Sequence, residues 1–223
     1  MIDSLSCLFV ERLSQALLNL GEPTVILVCG PSGAGKSDIS RKIAQTLDCS
    51  IIHLDNFYRS IELVDFELID GEIMPQWDSP SAVDWPAIEH LLKAFLCKPG
   101  YVRLPTYSFA ENRPSGSCLL RIRRHDVLIV DGTLAGYTSE LCSQLGIATF
   151  IIYVDAPNEE RMRRTELRDT LYRRQAEPPE VRKNRWKLMT IAERKLVKPQ
   201  STSAAIIAEN EDDKFTWRNS LPK

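Results

Sequence analysis

No apolar run in this chain approaches the ~18 residues a membrane-spanning helix requires, and the opening Met1-Ile2-Asp3 has no basic segment of the kind that begins a secretory signal. An excess of positive charge is missing too. The 28 Lys and Arg face 30 Asp and Glu, a formal net charge of −2, which argues against general nucleic-acid binding. Six cysteines are present, but none forms a C-x-x-C pair and no histidine stands at zinc-ligand spacing from any of them. They read as reduced, small hydrophobic side chains in a cytoplasmic protein. There is no internal repeat and no low-complexity stretch. Together with an average composition of 43% apolar and 26% charged residues, these features exclude a disulfide-stapled miniprotein, a collagen and a disordered tail.

What remains is a 223-residue chain with 43% apolar and 26% charged residues, long enough to bury a substantial core. Short, wholly apolar runs alternate with helical patterns. Thr24–Cys29, Ser50–Leu54, Asp126–Val130, Thr149–Val154 and Ser203–Ala208 read as strands. Helices are expected over 4–20, 36–47, 84–96 (capped by Asp84, with Pro86 in its first turn), 138–145, 158–175 and 180–197. Residues 59–83 read as irregular and acidic, and the tail from Asn210 as polar and ragged. Strands apolar on both faces, alternating with helices, predict an α/β fold: a parallel sheet of about five strands covered by helices on both sides. The whole chain, 1–223, is expected to be one domain. It would comprise an N-terminal helix (1–21), a lid with a following basic helix (159–198) and a tail (210–223). In such sheets ligands bind beyond the carboxyl ends of the strands, so the residues just after each strand are where chemistry is sought.

After the first strand comes Gly30-Pro-Ser32-Gly33-Ala34-Gly35-Lys36-Ser37, a full match to G-x-x-x-x-G-K-[ST]. Glycines let the backbone wrap closely enough for N–H groups to point at phosphate oxygens, and the next helix presents its N-terminus to the anion. Lys36 can reach the β- and γ-phosphates, and the Ser37 hydroxyl can ligate Mg²⁺. A buried strand before and a helix after are the context this motif requires, and they predict the P-loop NTPase fold.

Asp55 directly follows the second strand, where a carboxylate can take the proton of an attacking hydroxyl; Asp is also common in turns after strands. Asp131, after an apolar run, fits the Walker-B pattern of a carboxylate supporting Mg²⁺. Asp155 ends another strand and reads as a turn or cap before Pro157. Spacing alone leaves Asp78 open between a substrate ligand and a loop residue. The net charge hides a split: residues 1–158 carry −7 and residues 159–198 carry +6. Within the basic segment, Arg161, Arg164 and Arg168 share one helix face. They suit phosphate clamping in a movable lid, and equally salt bridges to Glu160, Glu166 and Asp169.

Assembled, these residues resemble the uridine kinase-like branch of the P-loop nucleoside kinases over roughly Thr24–Asn210. Asp55-Asn-Phe-Tyr58-Arg59 is similar to that family's Asp-x-Phe-Tyr segment. Gln76-Trp-Asp78-Ser-Pro80 is similar to its ribose-binding segment, and Pro105-Thr-Tyr107-Ser-Phe109, with Arg113 downstream, to its base-contacting loop. The resemblance implies an ATP-dependent kinase using Mg²⁺ and acting on a nucleoside 5′-hydroxyl, uridine or cytidine first. Asp55 would be the base and Asp78 a ribose ligand. Tyr58, Tyr107, Phe109 and Arg113 would surround the substrate, with Lys36, Arg164 and Arg168 on the phosphates. Family members often assemble, so a homo-oligomer is an expectation. Three departures stand out. Asp131 replaces a common Glu, Asn112 lies in a loop where animal members carry His, and Thr170–Pro179 differs in sequence. They fall mainly around the nucleobase. Other acceptors stay open (nicotinamide riboside, pantothenate, a sugar acid), as does a non-catalytic nucleotide-binding module.

Overall fold

The computed structural model describes residues 13, 23–97, 100–124, 126–170, 178–211 and 214–219. A six-stranded sheet runs in the order β10-β9-β8-β1-β7-β2. Its strands are β1 (Thr24–Cys29), β2 (Ser50–His53), β7 (Val127–Asp131), β8 (Ala148–Asp155), β9 (Ile206–Glu211) and β10 (Lys214–Asn219). The first five are mutually parallel and β10 joins β9 antiparallel at the edge. The expected parallel sheet is therefore present, with a sixth strand where a ragged tail was expected. Residues 214–218 alternate between exposed and half-buried, with Phe215 and Trp217 packing on the core, the pattern of a strand with one wet face.

All six residues of β1 are buried. Val25, Leu27 and Cys29 belong to one core cluster and Ile26 and Val28 to the other. Opposite faces of one strand thus feed two cores, one on each side of the sheet. Helix α1 (Lys36–Leu47) follows the phosphate loop, α2 (Trp85–Leu96) covers the first core, and α3 (Thr138–Gln144) precedes β8. Asp84 caps α2 by accepting the Ala87 N–H at 3.1 Å, as its sequence position predicts. The basic helices are α4 (Asn158–Arg168) and α5 (Pro179–Ala192), the latter running on through a π-helical turn to Val197. Of the helix expected over 4–20, only Leu13 is described; it is fully buried. Residues 171–177, part of the expected lid, lie outside the described residues. No helix among the described residues is long and apolar enough to cross a membrane.

Two hairpins stand outside the sheet. β5 (Tyr101–Ser108) pairs with β6 (Arg113–Arg121). β3 (Phe66–Ile69) pairs with β4 (Glu72–Pro75) inside the stretch that reads as irregular. Its turn is Asp70-Gly71, both at positive φ (50° and 85°), the Asp-Gly chemistry of a tight hairpin. The β3–β4 hairpin rests on α5. Ile69 and Met74 pack against Leu188, Asn184 donates to Glu72 at 2.9 Å, and Lys187 pairs with Asp70.

Candidate active site

The carboxyl ends of β1, β2 and β7 open into one cavity of about 520 Å³, within the size range of small-molecule sites. The phosphate loop enters it from β1. Gly30 can only be glycine: its φ is +135°, and a Cβ there would lie 2.0 Å from the Val154 carbonyl oxygen of β8. Helix α4 and β9 brace the outside of the loop. Arg164 donates to the Gly33 carbonyl at 3.4 Å, Arg168 to Ser32 Oγ at 3.4 Å, and the buried Asn210 to the Ala34 carbonyl at 3.0 Å. Lys36 Nζ donates to the Pro31 carbonyl at 2.9 Å. Burial pushes its pKa down, opposed by the carboxylates of Asp131 and Asp55.

Asp131 is the last residue of β7, not the residue after it, and is buried. Its Oδ2 accepts from Ser37 Oγ at 2.8 Å and from His53 Nδ1 at 3.1 Å. Its Oδ1 is buried with no hydrogen-bond partner among the described residues. A buried carboxylate oxygen left this way is missing an interaction. Beside the Ser37 hydroxyl, it forms an all-oxygen donor set that fits a hard divalent cation. The His53 pKa is raised, chiefly by its hydrogen bond to Asp131.

Asp55 sits in the 3₁₀ turn Leu54–Phe57. Leu54 and Phe57 of that turn are buried in the core, which fixes the turn and leaves Asp55 lining the cavity. Asp78 lines the same cavity. Burial, then Asp55, push its carboxyl up to about 6, against the pull of Lys36, Arg168 and Arg185. The far wall is aromatic. Tyr58, Trp77 and Tyr107 meet edge to face with centroids 5.6–6.2 Å apart, and Phe109 adds to Tyr107 at 5.2 Å and 68°. Tyr107 and Phe109 are thus an edge-to-face pair on this wall.

The cavity therefore gathers Ser32, Lys36, Ser37, Asp55, Tyr58, Asp78, Tyr107, Phe109, Asp131 and Arg168 from the sequence-predicted set. Gly30, Gly33, Ala34 and Gly35 shape the loop backbone. Two of the set fall elsewhere. Arg113 pairs with Glu111 on an exposed strand end, with 61% of its side chain exposed, and does not line the cavity. Arg164 lies behind the loop, paired with Glu160. Arg161, on the same expected helix face, is buried. It bridges Asn158 and Glu193 (2.8 Å) and lies 5.9 Å from the Trp186 ring, tying α4 to α5. Among the lining residues that escape sequence reasoning, two bear directly on the charged groups of the site. Arg185 of α5 is held by the buried Asp169, which also accepts from Arg168 at 3.0 Å. His53 meets Asp131 only because β2 and β7 pair with these two residues in register.

A phosphate loop between a buried central strand and a helix, with a carboxylate ending the neighbouring strand, defines a P-loop nucleotide-binding fold with the architecture of a small-molecule kinase. The family model described as "Phosphoribulokinase / Uridine kinase family" matches residues 25–216. The chain belongs to that family, and is accordingly a kinase of the ATP-using P-loop class. A uridine kinase from Deinococcus deserti is 30% identical over 151 residues, spanning 66% of this chain and 69% of its own. Among solved structures, the YGR205w protein shares the fold with a TM-score of 0.63 at 14% identity, covering 95% of this chain and 96% of its own. The phosphoribulokinase of Rhodobacter spheroides does so with a TM-score of 0.54 at 15% identity, covering 84% and 70%.

Proposed function

We propose that this kinase transfers the γ-phosphoryl group of ATP to the 5′-hydroxyl of a nucleoside, uridine or cytidine first. The observation that carries the reading is the meeting of Asp55 and Asp78 with Lys36, Ser37 and Asp131 in one cavity closed by aromatic rings. Asp55 takes the proton of the attacking hydroxyl. Asp78 accepts hydrogen bonds from the vicinal hydroxyls of the sugar, while Tyr58, Tyr107 and Phe109 pack around the base. Lys36 and Arg168 hold the transferring phosphoryl group, and Arg164 supports the loop from behind. Ser37 and Asp131 would hold Mg²⁺, which when bound offsets charge on the β- and γ-phosphates. The protein's work is positioning and charge stabilisation, and segment 159–198 serves as the lid of a single domain. A panel of candidate acceptors with ATP consumption as readout tests this. Uridine or cytidine is expected to be turned over, and turnover of a different alcohol with no nucleoside consumed rejects the nucleoside assignment.

One observation favours a second acceptor class within the same chemistry. Lys195 adds a cation to the cavity wall, where Arg185 is already paired with Asp169, which suits an alcohol bearing a carboxylate, such as a sugar acid.

Asp78 also predicts a pH dependence. An ionised Asp78 accepts hydrogen bonds from sugar hydroxyls, and its protonated form loses part of that capacity. With the carboxyl raised to about 6, the KM for the acceptor is expected to rise as pH falls through about 6. The KM for ATP is expected to change less. In Asp78→Asn the acceptor KM is high throughout and its dependence on pH in this range disappears. Steady-state kinetics between pH 5 and 8 checks both.

A further inference from the structure

His53 is assigned no role in phosphoryl transfer, yet among the described residues it is one of two side chains that donate to Asp131. The two residues face each other across the β2–β7 pair in register, so their side chains leave the sheet on the same side. The end of β2 is pinned as well. Leu54 is buried so tightly against Gly132 that a Cβ on that glycine would lie 2.4 Å from Leu54 Cβ. With Leu54 turned into the core, His53 and Asp55 on either side of it line the cavity. A carboxylate oxygen only accepts, so the 3.1 Å contact places a proton on His53 Nδ1. The neutral Nδ1–H tautomer and the imidazolium both supply it.

We infer that His53 is a positioning residue for the metal site: its Nδ1–H and the Ser37 hydroxyl together occupy Asp131 Oδ2 and so present Oδ1 to the cation or to its bound water. Oδ2 has two donors and Oδ1 none among the described residues. This division of labour is what fixed outer contacts impose on a metal-binding carboxylate. Without the imidazole, the Ser37 hydroxyl at 2.8 Å is left on Oδ2, and the carboxylate gains freedom to turn. The inference rests on the Mg²⁺ assignment proposed above, but not on which acceptor is phosphorylated.

The test is equilibrium binding of a non-hydrolysable ATP analogue to the full chain by calorimetry, with Mg²⁺ and with EDTA. Three proteins are compared: the unaltered chain, His53→Leu and His53→Asn. Asn keeps an N–H near the position of Nδ1 and Leu does not. The unaltered protein is expected to bind the analogue more tightly with Mg²⁺. In His53→Leu the Mg²⁺ concentration needed for half of that gain is expected to rise about 10–100-fold, the usual effect of losing an outer contact to a metal ligand. Its affinity in EDTA should stay within about threefold. His53→Asn should lie close to the unaltered protein. Equal losses with Mg²⁺ and with EDTA in His53→Leu would mark a general structural role and overturn the inference. An unchanged Mg²⁺ requirement overturns it as well, leaving the metal assignment standing. An unaltered protein that binds equally with and without Mg²⁺ overturns both.

Discussion

Asp55→Asn is expected to lower turnover about 10³-fold, within the range attributed to positioned general bases, while ATP binds within about threefold of the unaltered affinity. Asn matches Asp in shape and cannot take a proton. The turn that carries it is set by Leu54 and Phe57, both buried, so the exchange leaves the backbone where it is. The phosphate loop, Ser37 and Asp131 are untouched. Binding and chemistry therefore separate, and that separation distinguishes a base from a residue that merely shapes the pocket. A shaping residue would raise the KM values and leave kcat near its original level. Single-turnover transfer with ATP and uridine, beside calorimetric ATP titration, checks both halves. A turnover within tenfold of the unaltered protein removes Asp55 as the base.

The legible parts of the fold share one property: they are decided locally. The phosphate loop is a backbone shape that its glycines permit, and β1 and β7 are buried on both faces, so short apolar runs announce them. The helix cap at Asp84 is likewise local. What escaped was decided elsewhere in the chain. The spacing of Arg161, Arg164 and Arg168 puts them on one face of α4, but their fates depend on what packs there. Glu193, 32 residues on, claims Arg161. The phosphate loop takes Arg164 from outside, and only Arg168 lines the cavity. His53 gains its meaning from strand register, and Arg185 from the placement of α5. Two elements were within reach of the sequence. Asp70-Gly71 between Phe66–Ile69 and Glu72–Pro75 is a hairpin turn signal, masked by the surrounding acidic residues. Lys214–Arg218 alternates polar and aromatic side chains, the pattern of an edge strand.

The charge split takes on a sharper meaning. The +6 of residues 159–198 suggests a lid held ready for phosphate. Much of that charge has acidic partners at hand: Arg164 has Glu160, Arg161 has Glu193, Lys187 has Asp70, and Arg185 has Asp169. Several of these contacts dock α5 onto α4 and onto the β3–β4 hairpin, which leads directly to Gln76-Trp77-Asp78. The basic segment is therefore first a device for assembling the wall that carries Gln76-Trp77-Asp78 around the phosphate loop. Arg168 joins the two roles, since it touches Ser32 of the loop and Asp169.

Asp169 is where that assembly is most vulnerable. It is 1% exposed, and its two oxygens accept from Arg168 and Arg185. Burial raises its pKa, but the two guanidinium groups outweigh that and hold it below the usual carboxylate value. Asp169→Asn keeps the shape and removes the charge, leaving two cations facing each other beside the cavity. Breaking a buried pair in this way costs about 3–5 kcal/mol; about 3 is expected here, because Arg168 is one-third exposed and water relieves part of the loss. For a chain of this size that is a fall in melting temperature of roughly 6–12 °C. The sign of the pH dependence follows from the depressed pKa. The stabilisation by Asp169 is fully present above the unfolded-state value of about 3.9 and is lost as pH falls through the lower folded value. The gap between the two proteins should therefore be widest near neutrality and close in acid, which melting curves across pH will show. If Asp169→Asn melts within 2 °C of the unaltered protein at pH 7, the paired arginines are not what joins α4 to α5, and the task falls to Arg161, Trp186 and Glu193.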